Sequence, residues 1–320
     1  MPNRTCACRI CGDSAELPIF RVREMMYGTR EEFDYFQCAT CGCLQIDPIP
    51  DDLSRFYPGD YYSYAFPGEL EIRWKGPFFT THMRGSRLLQ RLACMLPGRS
   101  WKPLWLERAW VDRSAPVLEI GCGKGGRLLD VAWHGHERLV GIDPYVPRDH
   151  TYRNGVQILS RTLREVTETF GLVMMHHSFE HIPEPLETLA TVRNLLRDDG
   201  KLLIRVPLAS SWAWRHYGVD WVQLDAPRHL FLHTPESMAV LAKKAGFRIA
   251  DTFYDSDEFQ IWGSEQYAKG ISLHAENSHA RTQLRSMFSW RDIAAFRRKA
   301  EALNASGEGD SGGFVLVKSE

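Results

Sequence analysis

Residues 117–130 read VLEIGCGKGGRLLD, and this stretch decides the fold. Val117 to Ile120 is a short apolar run broken only by Glu119. Gly121-x-Gly123-x-x-Gly126 has the spacing of a dinucleotide-binding turn, and a helical apolar pattern starts at its last glycine. A strand that feeds a glycine turn and then a helix opens a doubly wound parallel sheet, whose ligands bind beyond the carboxyl ends of the strands. The alternation continues downstream. Strands are predicted at 117–120, 139–142, 156–159, 172–175 and 201–206, with helices near 126–134, 162–168 and 185–197, the last closed by Asp198-Asp199-Gly200. Thr234-Pro235-Glu236 reads as a capped helix start with Gly246 at its end, and 247–254 and 313–318 read as final strands joined through a polar helix around 289–303.

The charges around the turn choose its ligand. Glu119, at the mouth of the first strand, would repel a pyrophosphate and attract an ammonium or sulfonium. Asp143, ending the second strand in Gly141-Ile142-Asp143-Pro144, suits a ribose diol, because a carboxylate accepts from both hydroxyls. S-adenosylmethionine has a ribose and a positive sulfur and no phosphate, so it fits both carboxylates better than a nicotinamide dinucleotide does. The cofactor-binding set expected on this reading is Glu119, Gly121, Cys122, Gly123, Asp143 and Pro144. His176 and His177, after the fourth strand, are expected to touch cofactor or substrate.

The 320 residues allow one large domain and a small appendage, and a formal net charge of -1 argues against a general nucleic-acid binder, which needs a basic face. No apolar run approaches the ~20 residues of a membrane span, and the beginning, MPNRTCACRICG, lacks the apolar core of a signal peptide, so a cytoplasmic location is expected. Disulfides are not expected there, and six of the eight cysteines fall between Cys6 and Cys43. Cys8-x-x-Cys11-Gly12 and Cys38-x-x-Cys41-Gly42 are paired knuckles that aim four thiolates at one tetrahedral Zn²⁺; four protein ligands leave no open position, so the metal is structural. Cys6 and Cys43 stand just outside and compete as ligands. A tyrosine-rich stretch follows, from Phe56 through Tyr61, Tyr62 and Tyr64, which either stacks on a ligand or packs the ribbon against the main domain. Residues 82–111 are amphipathic and suit a lid or docking helix. The expected domains are a zinc ribbon over 1–55, a linker with lid helices over 56–115, and a catalytic domain over 116–320.

These motifs resemble the class I S-adenosylmethionine-dependent methyltransferases: VLEIGCGKGG is similar to their first motif, GIDP to their second-strand acidic end, and FGLVMMHHSFEHIPEP with LLRDDGKLLIRVP to their fourth and fifth strands. The resemblance implies a Rossmann-like α/β fold with a seven-stranded sheet, preceded here by the ribbon. Gly171 departs from it, standing where many members have Asp. The order of ribbon, tyrosine-rich segment and core is similar to nucleotide-sugar methyltransferases, and Trp221 to Leu230 resembles enzymes of surface-polysaccharide pathways. The large C-terminal domain of the sugar carbon-methyltransferases is missing. By this resemblance Glu180-His181 matches the base region, which implies His181 as general base and Glu180 as helper or substrate ligand; the alternative for His181 is a cap on the following helix. Tyr61, Tyr62, Arg228 and His229 are the expected substrate contacts, Arg228 through a phosphate or carboxylate; a surface arginine is the alternative. The acceptor expected is a small molecule such as a nucleotide sugar. An RNA methyltransferase docking its substrate on the ribbon, and a non-catalytic cofactor-binding scaffold, are the competing functions.

Overall fold

A computed structural model describes residues 2–57, 103–282 and 286–319. The expected contacts Tyr61 and Tyr62, the apolar residues of 82–102 and Cys94 lie outside the described residues. The chain divides into two compact units, each assembled from separate stretches: one holds Met1–Tyr57, His177–Leu189 and Arg205–Phe314, the other Pro58–His176, Ala190–Ile204 and Val315–Glu320.

In the first unit, strands β1 (Asn3–Ala7), β2 (Ser14–Arg23), β3 (Glu32–Gln37) and β4 (Leu44–Ile46) form an antiparallel meander. Two of its three turns are the cysteine knuckles, where the left-handed Gly12 and Gly42 reverse the chain. The sheet order is β1-β2-β3-β4-β11, and β11 (Phe231–Leu232) comes from nearly two hundred positions downstream, pairing Phe231 with Gln45 and Leu232 with Leu44. The ribbon is therefore closed by the loop that carries Arg228 and His229. Thr234 adds a second tie: its hydroxyl donates to the Cys41 carbonyl at 2.6 Å while accepting from Ser237 N as the cap of the helix over Pro235–Lys244.

The second unit holds the glycine turn. A short helix α1 (Leu104–Arg108) precedes β5 (Val117–Ile120), all four of whose residues are buried, as a strand covered on both faces requires. Helix α2 (Gly126–Trp133) follows the turn, and β5 lies parallel to both β6 (Leu139–Ile142) and β9 (Phe170–His176), with Glu119 opposite Gly141 and Met174. Gly125 rather than Gly126 is the glycine the geometry needs. It caps α2 in the left-handed region at φ 78°, and a Cβ on it would meet the Ile158 side chain at 2.4 Å, whereas one on Gly126 would meet nothing. A Cβ on Gly141 would strike the Cys122 sulfur at 2.5 Å and Leu128 at 2.8 Å, so that glycine lets turn and helix close onto the sheet.

With β7 (His150–Thr151), β8 (Gln157–Leu159), β10 (Leu196–Pro207), β12 (Phe247–Tyr254) and β13 (Ser311–Lys318), the strand order is β12-β13-β10-β9-β5-β6-β8-β7; β10 and β13 contribute residues to both units. The expected seven strands are present, and β7 adds an eighth by pairing antiparallel with the edge strand β8. Two helices differ from expectation. The helix over 162–168 is a single 3₁₀ turn at Leu163–Glu165, stopped by the β-branched Val166 and Thr167. Helix α3 (Pro185–Leu195) ends before Asp198-Asp199-Gly200, which lie inside β10 instead of closing the helix. Helices α4 (Trp212–Tyr217), α5 (Pro235–Lys244), α6 (Phe259–Ala268) and α7 (Trp290–Ala305) complete the described residues. None of their helices is long and apolar enough to cross a membrane.

Candidate functional site

Three constellations were expected to carry chemistry, and each is built within one unit. At the glycine turn, Gly121, Gly123 and Gly125 all take positive φ, and the Gly121 and Cys122 amides bind the Ile142 carbonyl at 2.9 and 3.2 Å. Asp143 latches the turn: one carboxylate oxygen accepts from Gly123 N at 2.9 Å and the other from Tyr145 N at 3.0 Å. Glu119 is 2% exposed, and its Oε2 has no hydrogen-bond partner. Burial raises its pKa to about 8 although Arg127 opposes the shift. Burial thus disfavours the ionised carboxyl that the expected negative rim needs, and a cation beside it would favour ionisation. The Cys122 sulfur is turned against Gly141, so it offers a ligand no more than backbone, and Pro144 is exposed. His176 ends β9 buried, edge-on to Trp105 at 4.5 Å between ring centroids.

The second constellation follows β9. His177, at φ 49°, is a non-glycine residue in the left-handed region, and its amide binds the Arg205 carbonyl at 2.9 Å. The turn aims its Nδ1 at Glu180 Oε1, 3.5 Å away. Glu180 is 0% exposed, and neither carboxylate oxygen completes a hydrogen bond. Burial pushes its pKa up, but His177, His181 and His229 outweigh this and hold it at about 2. His181 Nδ1 lies 2.8 Å from the Arg228 carbonyl and 3.2 Å from the Tyr57 hydroxyl, and His229 Nδ1 lies 2.7 Å from the Gln223 carbonyl. A carbonyl only accepts, so each ring carries a proton on Nδ1, and in the neutral form of His181 the bare nitrogen is Nε2. Burial first, and then His229, lower the His181 pKa below its ordinary 6.5. His181 ends the 3₁₀ turn Phe179–His181, with an imidazole oriented by the Arg228 carbonyl. The rings of His181 and His229 stand edge to face at 4.8 Å.

Arg228 is not a substrate ligand, which corrects the expectation. It is 0% exposed and its guanidinium is consumed: Nε and Nη2 grip Asp225 at 2.9 and 2.6 Å, Nη2 also reaches Glu24 at 3.0 Å, and Nη1 reaches the Phe56 carbonyl at 3.3 Å. Glu24 accepts further bonds from the Tyr27, Gly28 and Thr29 amides. The sequence put Arg228 and His229 side by side with no sign that one would point inward to bind Glu24. Asp225, held left-handed at φ 38°, and Glu24 were missed because no short-range spacing links them. Tyr57 was within the tyrosine-rich stretch, where only its position next to Phe56 distinguished it.

The third constellation is the pair of knuckles. Cys8, Cys11, Cys38 and Cys41 offer sulfurs all within 4.8 Å of one another, with Cys8 3.6 Å from Cys41 and Cys11 3.5 Å from Cys38. Cys8 accepts from the Ile10 and Cys11 amides and from Gln45 Nε2 at 3.0 Å, and its pKa falls to about 4, chiefly through the hydrogen bond from Cys41, whose own is raised in turn. Two sulfurs that share one proton form a site that a dication would suit. Cys6 packs with Ile19 and Phe36, and Cys43 points to Leu44 O and His233, so neither belongs to the set.

Residues 90–252 match a family model described as a methyltransferase domain. The chain belongs to this methyltransferase family. With the doubly wound sheet it has the class I architecture that depends on S-adenosylmethionine. The methyltransferase is 25% identical over 194 residues to a ubiquinone biosynthesis O-methyltransferase of Ruegeria sp. (strain TM1040), covering 55% of this chain and 76% of the relative. It is 25% identical to the tRNA U34 carboxymethyltransferase of Aeromonas salmonicida over 45% of this chain and 49% of that one. An uncharacterized 37.1 kDa protein of transposon TN4556 from Streptomyces fradiae is 23% identical, and the methyltransferase spans 64% of its length while using 63% of its own. Among solved structures, the cyclopropane synthase MmaA2 of Mycobacterium tuberculosis superposes with a TM-score of 0.43 and 16% identity over 67% of this chain and 82% of that one.

Proposed function

We propose that this methyltransferase moves the methyl group of S-adenosylmethionine to an oxygen, nitrogen or acidic carbon of a small molecule, such as a nucleotide-activated sugar or a related metabolite of glycan or natural-product biosynthesis. The observation that carries the proposal is the histidine pair beside Glu180, with the Nδ1 atoms of both rings held against backbone carbonyls. The cofactor supplies an electrophilic methyl on a positive sulfur. Asp143 would accept from its ribose, and Glu119, once ionised, would meet its positive charge. His181 Nε2 takes the acceptor's proton as the methyl is attacked, and Glu180 stabilises the imidazolium that results. Zinc at the four cysteines holds β1 to β4 and β11 together without entering the reaction.

Loss of Arg228 as a ligand removes one support for a diphosphate-bearing acceptor. His229 remains as a contact, as do Tyr61 and Tyr62 by the resemblance. The name of the ubiquinone-pathway relative favours a small acceptor, while that of the tRNA relative keeps RNA as the alternative; the formal charge of -1 weighs against RNA. Incubation with methyl-labelled S-adenosylmethionine and a panel of nucleotide sugars, phenolic metabolites and tRNA tests the assignment. Label in a small molecule supports it, and label found only in tRNA refutes it.

Two expected outcomes test the parts. Asp143→Ala should weaken S-adenosylmethionine binding by about 1.5–3 kcal/mol, the worth of hydrogen bonds to a charged group, and calorimetry giving wild-type affinity would remove the ribose assignment. Elemental analysis of gently purified protein should find one zinc per chain, dropping towards none in Cys38→Ser; a metal-free wild type that keeps its fold would refute the structural role.

A further inference from the structure

Glu180, His181 and His229 each offer one ligand atom, and the three atoms lie within 4.8 Å of one another, with His229 Nε2 3.9 Å from Glu180 Oε1. Their environment is unusual for three acceptors so close. Both imidazoles donate Nδ1–H to backbone carbonyls, those of Arg228 and Gln223, as the second shell of a metal-bound histidine does. Glu180, 0% exposed, completes no hydrogen bond with either oxygen. A buried carboxylate that completes no hydrogen bond and faces two imidazoles is stabilised by a positive species between them. Asp225 Oδ2 is 3.8 Å from His229 Nε2, yet Arg228 already holds that carboxylate. Two histidines and one carboxylate make a donor set for a divalent transition metal, with coordination positions left open.

We propose that Glu180, His181 and His229 form a second metal site, distinct from the four cysteines, that binds a divalent transition ion through one carboxylate oxygen and two imidazole nitrogens. The site stands on this geometry alone. Its consequence rests on the base reading above: the ion and the acceptor's proton compete for the same lone pair of His181, so the bound ion arrests methyl transfer until it leaves.

Cobalt(II) titrated into the full chain, with its cysteines already zinc-loaded, tests the site. Wild type should take up one Co²⁺ per chain with the visible bands of nitrogen and oxygen ligation and without thiolate-to-metal charge transfer. His229→Ala and the isosteric Glu180→Gln should each weaken uptake by roughly 100-fold or more. Retained zinc content and an unchanged circular dichroism spectrum show that the variants are folded. Absence of such bands in wild type, or the same uptake in both variants, overturns the site and leaves the base reading standing on His181→Ala kinetics. One Co²⁺ bound with undiminished methyl transfer overturns the competition and removes His181 as the base, while the metal site survives.

Discussion

His181→Ala is expected to lower methyl-transfer turnover by roughly 10²–10⁴-fold, the usual worth of a positioned general base, while S-adenosylmethionine affinity stays within about twofold. Glu119 and Asp143, the residues proposed to hold the donor, keep their side chains in this variant. Substrate methylation by His181→Ala at the wild-type rate would exclude the assignment. The pH profile carries the same claim. Burial and His229 place the His181 pKa below 6.5, and the neutral imidazole is the active form. The rate should therefore climb through an acid limb below pH 6.5 and be flat across neutrality. In stability terms folding favours the neutral ring, so this contribution is present above the unfolded-state value and lost as pH falls through the folded one. A limb at or above pH 7 would point to another base.

Arg228→Ala is expected to destabilise the protein by about 3–5 kcal/mol, because it strands two carboxylates that the guanidinium now pairs. Glu24 is fully buried, and burial would raise Asp225 were it not for Arg228, which outweighs it and holds the carboxylate at about 2. The depressed Asp225 pKa contributes stability above the unfolded value that disappears as pH falls towards 2, and the variant should lose that acid dependence. Arg228→Lys should recover only part of the loss, since an ammonium cannot grip Asp225 with two parallel bonds while reaching Glu24. Urea unfolding at neutral pH measures both; a change under about 0.5 kcal/mol, the range of ordinary surface substitutions, would show that the network is not structural. The same loop supplies the carbonyl that orients His181, so activity should fall in Arg228→Ala before the fold is lost.

What was legible in the sequence was whatever local spacing encodes. The strands at 117–120, 139–142 and 247–254 and the Thr234 cap are where the apolar pattern and the cap chemistry put them. The double Cys-x-x-Cys-Gly gave the four-sulfur cluster for the same reason. Long-range pairing was not legible. Nothing near Phe231 marks it as the closing strand of an N-terminal sheet, and nothing near Glu24 announces Arg228. Even within the glycine turn, spacing nominated Gly126, while the steric demand falls on Gly125, whose neighbour Ile158 lies two strands away. Charge was misjudged likewise: Glu119 reads as an anion in sequence, and only its burial shows that its ionisation is disfavoured.

Isothermal titration of the wild-type chain with S-adenosylmethionine, and in parallel with a nicotinamide dinucleotide, bears most directly on the account. One molecule of S-adenosylmethionine per chain, with proton release as Glu119 ionises and no heat from the dinucleotide, is the predicted result. Binding of the dinucleotide, or silence towards S-adenosylmethionine at millimolar concentration, would contradict it.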